Sequence, residues 1–421
     1  MRPRCLICAY DSTPILERLL PLLKQLEAHY EPIVFVQFPG TQRELENLGY
    51  ETFLYRSVIG WEHGNLKALK PLRSPSQHRS YESTLYGDNY DWSGFERKLR
   101  NRIASVFQAL SPGLLIVWNG FTLPVTEFIK VAHHYSLPVR YLERGLFPGT
   151  LFIDPMGTNA ASSIAQKTEF DSTLEALGRE ICATFKTHYQ PIVQSPITED
   201  SRPEWRSNTK RAVFIEQLDH DTNIVLFSSD YPTNGKALQA FERELKGDDW
   251  SILIKEHPEA SGSRDLRVNS STAVTTQAQL VDLIRGTDLV LTRNSTVGFE
   301  ALVFGKDVRC LGAALYGYFD AQSPHLVDKE EPEREQVFHR FVGELFHRHH
   351  ITTNPEIAKD YPRSGGYEAF LQPSPNPTSS HLGDPRAPYW RWPAVKSIQR
   401  MEWGGRLLLR QLKQRGQRRD D

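Results

Sequence analysis

The sequence predicts an α/β protein built from two facing Rossmann-like domains, followed by a C-terminal helical extension. Two observations carry most of this. Apolar strand-like runs alternate with helix-period segments twice over, and a Pro-, Ser- and charge-rich stretch, residues 190–206, separates the two series. A third is length: 421 residues are too many for one ordinary core and suit two domains of about 150–200 residues each. The expected limits are residues 1–195, 196–350 and 351–421.

In the first series, Leu6–Tyr10 is short and apolar, a strand, and Pro14–His29 has helical periodicity. Ile33–Phe38 is β-branched and aromatic, so a strand. Gln42–Leu48 reads as helix and Thr52–Tyr55 as strand. Residues 60–92 are polar and aromatic without a period. Phe95–Leu110 is helical, Leu114–Trp118 a buried strand, Val125–Tyr135 helical and Val139–Glu143 the next strand. A helix over Thr168–Tyr189 closes this half. The second series runs Ala212–Glu216 (strand), Lys236–Leu245 (helix), Ser251–Lys255 (strand), Leu266–Val268 (edge or loop) and Ala278–Arg285 (helix). It continues with Leu289–Thr292 (strand), Val297–Phe304 (helix), Val308–Leu311 (strand) and a helix from Gln336 to His347. The β-α-β-α order argues for parallel sheets covered on both faces. Beyond residue 352 the composition changes: Gln372–Pro377 is too Pro-rich for a packed element, Arg386–Trp392 is aromatic and basic, and Met401–Arg419 reads as a basic helix.

Apolar residues at 39% and charged residues at 24% are ordinary for a globular domain, and a net charge of -1 provides no field for nucleic acid. No apolar run reaches the roughly 20 residues that span a bilayer, and the N-terminus turns polar too soon for a secretory signal, so a cytoplasmic location is expected. Cys5 and Cys8 have zinc-like spacing. In a strand, however, residues three apart face opposite ways, and no second pair completes a tetrahedral site.

Chemistry in α/β folds sits on loops at the carboxyl ends of strands. Four polar tips stand out. Glu143 follows an apolar strand and precedes a Gly/Pro-bent loop; a carboxylate so placed has a raised pKa and serves as general acid or base, unless it pairs with Arg144 or Arg140. Gln217–Asn223 offers Asp219 and Asp221 as nucleophile or base, or as solvated turn carboxylates, with Asp230 a weaker candidate. Lys255 and His257 can donate to phosphate oxygens, and Pro258 ends their strand; His257 is also a candidate proton donor. Ser295 or Thr296 caps a helix whose N-terminus favours an anion, Gly298 permits close approach, and Glu300, one turn later, reaches ribose hydroxyls.

Taken together, these residues resemble the capsule polysaccharide synthesis family, and more closely its bacterial retaining β-Kdo transferases, which use CMP-Kdo (Kdo is 3-deoxy-D-manno-oct-2-ulosonic acid). The family's Glu-x-Gly loop with a downstream Asp-x-x-Gly-x-Asn is matched by Glu143, Gly145, Asp154, Gly157 and Asn159. Its Gln-x-x-x-Asp-Thr/Ser is matched by Gln217, Asp221 and Thr222, and its Lys-Pro-His-Pro by Lys255, His257 and Pro258, with Glu256 in place of the first Pro. Its Ser-x-x-Gly-x-Glu-Ala-Leu and following Gly-Lys-x-Val are matched by Ser295, Gly298, Glu300, Ala301, Leu302, Gly305, Lys306 and Val308; Trp118, Asn119 and Gly120 also fit.

The resemblance implies a GT-B-type glycosyltransferase. CMP would leave with its phosphate on Lys255, His257, Ser295 and Thr296, and Glu300 would hold ribose or cytosine. Asp221 would be the nucleophile, Glu143 the base, His257 an auxiliary to departure, and Gly145, Asp154, Asn159, Gln217 and Asn119 would form the donor and acceptor loops. No metal or other cofactor is expected beyond the CMP-sugar donor itself. The partners are that donor and a glycan or lipid-linked acceptor. The basic helix has two open readings: a solvated helix packed on the first domain, or peripheral contact with the inner face of the cytoplasmic membrane. Two rival functions stay open: an inverting transferase for another CMP-activated acidic sugar of the sialic-acid type, and a non-catalytic nucleotide-sugar-binding partner in an assembly complex.

Overall fold

The computed structural model describes residues 2–9, 13–59, 92–121, 124–189, 205, 209–219, 221–245, 250–258, 273–276, 278–362 and 365. The aperiodic segment 60–91, the linker after 189, Leu266–Val268, the Pro-rich stretch and the basic helix 401–419 lie outside them.

The first unit is a seven-stranded sheet. In chain order its elements are β1 (Arg4–Cys8), α1 (Thr13–Leu26), β2 (Glu31–Val36), α2 (Pro39–Asn47), β3 (Glu51–Leu54), α3 (Tyr55–Val58), α4 (Trp92–Leu110), β4 (Pro112–Trp118), α5 (Val125–His134), β5 (Val139–Arg144) and β6 (Thr150–Asp154). The five parallel strands stand in the order β3-β2-β1-β4-β5. Alternation puts Cys5 and Ile7 in one core with Leu22, Leu23 and Leu26 of α1. It puts Leu6 and Cys8 in the other, with Leu99 and Ile103 of α4 and Phe128 of α5. Cys5 and Cys8 therefore face opposite layers, and burial pushes the Cys8 thiol up to about 12.

One part of this unit departs from expectation. Residues 145–159, expected as an open loop, contain β6, which pairs antiparallel with β5 through Glu143↔Phe152 and Tyr141↔Asp154. The run Leu151–Ile153 is fully buried. Its flanking Gly and Pro residues mask it in the sequence, and the waiting edge of β5 decides it. Gly145 is required by this hairpin: a Cβ there would lie 2.0 Å from Thr150 Oγ1.

After α6 (Glu175–Thr187) comes the second unit. The helix is shorter than expected, because 3-10 turns fill the span before Glu175, Asp171 capping one of them through Thr173 N. The second unit holds β7 (Lys210–Ile215), α7 (Thr222–Phe227), α8 (Asn234–Glu244), β8 (Trp250–Lys255) and β9 (Ala273–Thr276). It continues with α9 (Leu280–Gly286), β10 (Leu289–Thr292), α10 (Thr296–Val303) and β11 (Asp307–Cys310). The order β9-β8-β7-β10-β11 is all parallel and repeats the first unit's topology. Ala212, Phe214 and Ile254 pack on Leu238 and Phe241 of α8, while Val213, Leu253 and Val290 face Leu283 of α9 and Phe299 of α10. Neither α7 nor β9 stands out in the sequence, each being too short for a period to show.

The chain then returns. Helix α11 (Glu331–His349) packs along α6, and β12 (His350–Thr352) adds an antiparallel strand to β6. His350 fastens this return. Its Nε2 accepts from Leu146 N at 3.1 Å, so the proton is on Nδ1, which meets Leu345 O at 2.9 Å. Burial holds its pKa down at about 3. The folded state thus refuses a proton that the unfolded chain accepts near 6.5. This stability contribution is present above pH 6.5 and is lost as pH falls from there toward about 3, at up to about 1.4 kcal/mol per pH unit. Urea denaturation of wild type and His350→Gln across pH 7 to 4 measures it. The glutamine variant is expected to lose that share of the slope, and identical slopes would refute it.

Candidate active site

The carboxyl ends of β7, β8 and β10 open on a cleft of about 200 Å³. It lies at the point where the strand order of the second sheet reverses, the usual ligand position in open α/β sheets. Its lining includes Gln217, Asp221, Lys255, His257, Ser295, Thr296 and Glu300, together with Asn159 from the first unit. Three of the four expected polar tips therefore meet in this cleft, and Glu143 is not part of its lining.

One end of the cleft is suited to an anion. Ser295 is the N-cap of α10; its hydroxyl accepts from Val297 N at 3.3 Å, and Thr296 begins the helix with its positive dipole end toward the cleft. Lys255 ends β8 almost fully buried, and desolvation lowers its pKa against a smaller opposing pull from Glu256. His257 is held by its backbone, N donating to Glu216 Oε2 at 3.1 Å. Gly298 is needed for a reason other than ligand approach. A Cβ there would fall 2.1 Å from the Tyr316 hydroxyl, whose ring fills the space and which donates to Ser295 O.

Asp221 faces this end from the N-cap of α7. Its Oδ1 accepts from Asn223 N at 2.7 Å, and its backbone O accepts from Val225 N at 3.0 Å. The turn-carboxylate geometry and the exposed position are thus both realised, and the capping bond fixes the direction of the carboxylate. Glu143, at the end of β5, stands within electrostatic reach of Asp221. Its Oε1 accepts from Arg144 N at 2.9 Å and its Oε2 from Asn119 Nδ2 at 2.8 Å, so the bond to Arg144 is to its backbone amide. Burial raises the Glu143 pKa most; those two bonds pull it down, and the Asp221 charge pushes it up again. Asn119 adopts a left-handed φ of 62°, which aims its amide at Glu143. The rings of Phe121 and Phe227 meet edge to face at 5.6 Å and join the two units.

Other expected residues act as struts. Gln217 Oε1 accepts from Thr292 Oγ1 (3.0 Å), Arg293 N (3.2 Å) and Asn294 N (3.1 Å), splinting β7 to β10. Asp154 is fully buried and turned away from the cleft. It accepts from Met156 N (2.7 Å), Gly157 N (3.1 Å), Ser163 N (3.0 Å) and Ser163 Oγ (2.7 Å), and its Oδ2 lies 3.0 Å from His349 Nδ1. Asp154 therefore closes the loop that presents Asn159, whose φ of 53° is also left-handed. Sequence reading passed over Glu216, a buried carboxylate that lines the cleft; its signal was a charged residue ending an apolar strand. It also passed over Arg293 as the fastener beneath the cleft. Fully buried, Arg293 meets Asp219 Oδ1 (2.9 Å), Gln217 O (2.8 Å), Asn234 Oδ1 (2.8 Å) and Pro232 O (3.2 Å).

Comparison with known proteins gives these likenesses. The chain is 27% identical over 226 residues to Protein FixF of Sinorhizobium fredii (strain NBRC 101917 / NGR234), covering 49% of this chain and 50% of FixF. It is 26% identical over 143 residues to the lipopolysaccharide-processing protein LpsZ of Rhizobium meliloti, covering 31% of this chain and 32% of LpsZ. The matches thus span half or less of the length of these relatives. Among solved structures, Thermosulfurimonas dismutans KpsC, a β-Kdo 2,7 transferase, aligns with a TM-score of 0.44 at 23% identity over 62% of this chain and 84% of that one. The family model described as capsule polysaccharide biosynthesis protein matches residues 173–354, so the expected resemblance to the capsule polysaccharide synthesis family holds across the second unit and the α6 and α11 helices that flank it.

Proposed function

We propose that this protein is a glycosyltransferase that moves Kdo from CMP-Kdo to a glycan or glycolipid acceptor in bacterial surface polysaccharide synthesis, with retention of configuration. The observation that carries the reading is the meeting, in one cleft, of an anion-suited end with a carboxylate, while a second carboxylate lies within electrostatic reach of the first. The motif resemblance supplies the sugar and the nucleotide, and the family match supplies the polysaccharide context.

The reaction follows from these groups. The CMP phosphate sits against Lys255, His257 and the N-terminus of α10, which stabilise the negative charge gained as it departs. Asp221 Oδ bonds to the anomeric carbon as the carbon–phosphate-oxygen bond breaks and the electron pair leaves with CMP. The acceptor hydroxyl then attacks the same carbon, Glu143 takes its proton, and the Asp221 carboxylate is released. Two inversions yield retention. Glu143 suits the role of base because burial raises its proton affinity above that of an ordinary carboxylate. Positive charge at the leaving group comes from side chains and the helix dipole, so the reading requires no metal.

Among the described residues no helix is long and apolar enough to cross a membrane. Contact with anionic lipid through residues 401–421 is part of the proposal, as a means of meeting a lipid-linked acceptor. The test is incubation of the purified chain with CMP-Kdo, CMP-sialic acid and UDP-sugars, in EDTA, with acceptor in anionic vesicles or in detergent. Transfer from CMP-Kdo that survives EDTA and is faster on vesicles is expected. Transfer from CMP-sialic acid would substitute the rival sugar, and no transfer from any donor would leave a binding protein in place of an enzyme.

A further inference from the structure

Glu300 presents a puzzle that its neighbour resolves. It sits one turn into α10 and lines the cleft, yet is only 1% exposed. A carboxylate so buried is costly unless held by donors. One donor comes from far away in the chain: the Tyr189 hydroxyl donates to Glu300 Oε2. Tyr189 lies just past α6, at the exit from the first unit. Its ring is gripped by Phe185 of α6 at 5.5 Å and by Phe304, at the end of α10, edge-on at 5.0 Å. Burial and the Glu300 charge raise the phenol pKa, so the hydroxyl stays protonated and remains a donor. A carboxylate offers about four lone-pair sites, so a phenol and a ribose hydroxyl can share one.

We infer that Tyr189 is a positioning residue for nucleotide binding: its hydroxyl holds the Glu300 carboxylate in the orientation that accepts hydrogen bonds from the ribose hydroxyls of a bound cytidylate. This rests on the CMP-donor reading above. Its consequence is that the ribose contact made in the second unit is set by a residue leaving the first, so a shift of α6 relative to α10 would weaken nucleotide binding without touching the phosphate end.

Calorimetric titration with CMP and with 2′,3′-dideoxycytidine monophosphate tests this on wild type, Tyr189→Phe, Glu300→Gln and the double variant. Phenylalanine keeps the ring between Phe185 and Phe304 and removes only the donor. Wild type is expected to prefer CMP. Tyr189→Phe should weaken CMP about 10- to 100-fold, the share of one hydrogen bond to a charged group, and leave the dideoxy nucleotide unchanged. The double variant should bind CMP no worse than Glu300→Gln. Equal weakening of both nucleotides would mark Tyr189 as merely structural and overturn the inference, as would unchanged CMP affinity. If the phenylalanine variant unfolds, Glu300→Gln carries the test: loss of the CMP preference supports the inference and its retention overturns it. Wild type that binds neither nucleotide at millimolar concentration would remove the donor reading itself, and this inference with it.

Discussion

Asp221→Asn is expected to abolish sugar transfer, by at least about 1000-fold, while CMP binding stays within about 2-fold of wild type. Asparagine is the informative replacement because Asp221 has two jobs in this structure. It caps α7, its Oδ1 accepting from Asn223 N, and asparagine can still accept that bond. Alanine would remove the cap as well, costing about 1 kcal/mol and confusing loss of chemistry with loss of the loop. What asparagine lacks is the anionic oxygen that bonds to the anomeric carbon. Intact-mass measurement of the wild type mixed with CMP-Kdo, without acceptor, should show a sugar adduct that the asparagine variant does not form. Transfer at more than a tenth of the wild-type rate by the variant would remove Asp221 from the role of nucleophile and favour the inverting alternative.

The second expected result concerns the floor of the cleft. Arg293→Met should destabilise the protein by about 3–5 kcal/mol and lower its thermal midpoint by roughly 5–10 °C. Methionine fills similar space, so the loss comes from broken polar contacts. The Arg293 guanidinium is fully buried and serves Asp219, Asn234, and the carbonyls of Gln217 and Pro232 at once. Removing it strips a charged donor from four acceptors at once, and Gln217 O and Asn234 Oδ1 keep only the bonds that these two residues exchange. Asp219 is partly open to solvent and rehydrates, which keeps the effect within this range. Lysine retains the charge but cannot present a planar fork to several acceptors, and should recover only part of the stability. Thermal and urea unfolding of the three proteins measure this. An Arg293→Met variant with wild-type stability would show that the 217–234 loop is held by the packing of α8 and not by this residue.

Much of the fold is legible in the sequence. Strands of four or more apolar residues flanked by helix-period segments placed nearly every parallel strand within a few residues, because a doubly covered sheet demands continuous burial and a linear pattern records it. The four polar tips were legible for the same reason: a parallel strand has one carboxyl end, so three tips share one edge of the second sheet and Glu143 lies at the same edge of the first. Less legible were the antiparallel β6, hidden between glycines and prolines, and the short β9 and α7. Residue roles were the least legible. Nothing in the local text around Asp154 distinguishes a loop-closing carboxylate from a ligand-facing one, and nothing near Gly298 announces that Tyr316 will occupy its missing side chain.

Local patterning thus established the two α/β units, their sheet-and-helix layering, and which short segments carry chemistry, since each of these depends on neighbours a few residues apart. Packing between distant segments settled which carboxylates meet and which oxygens are already engaged. Glu143 nears Asp221 only because the two sheets turn their carboxyl edges toward each other, and Glu300 meets Tyr189 only because α6 runs beside α10. Burial and electrostatic coupling depend on distance in space, and a one-dimensional order of residues does not contain that distance until the chain has folded.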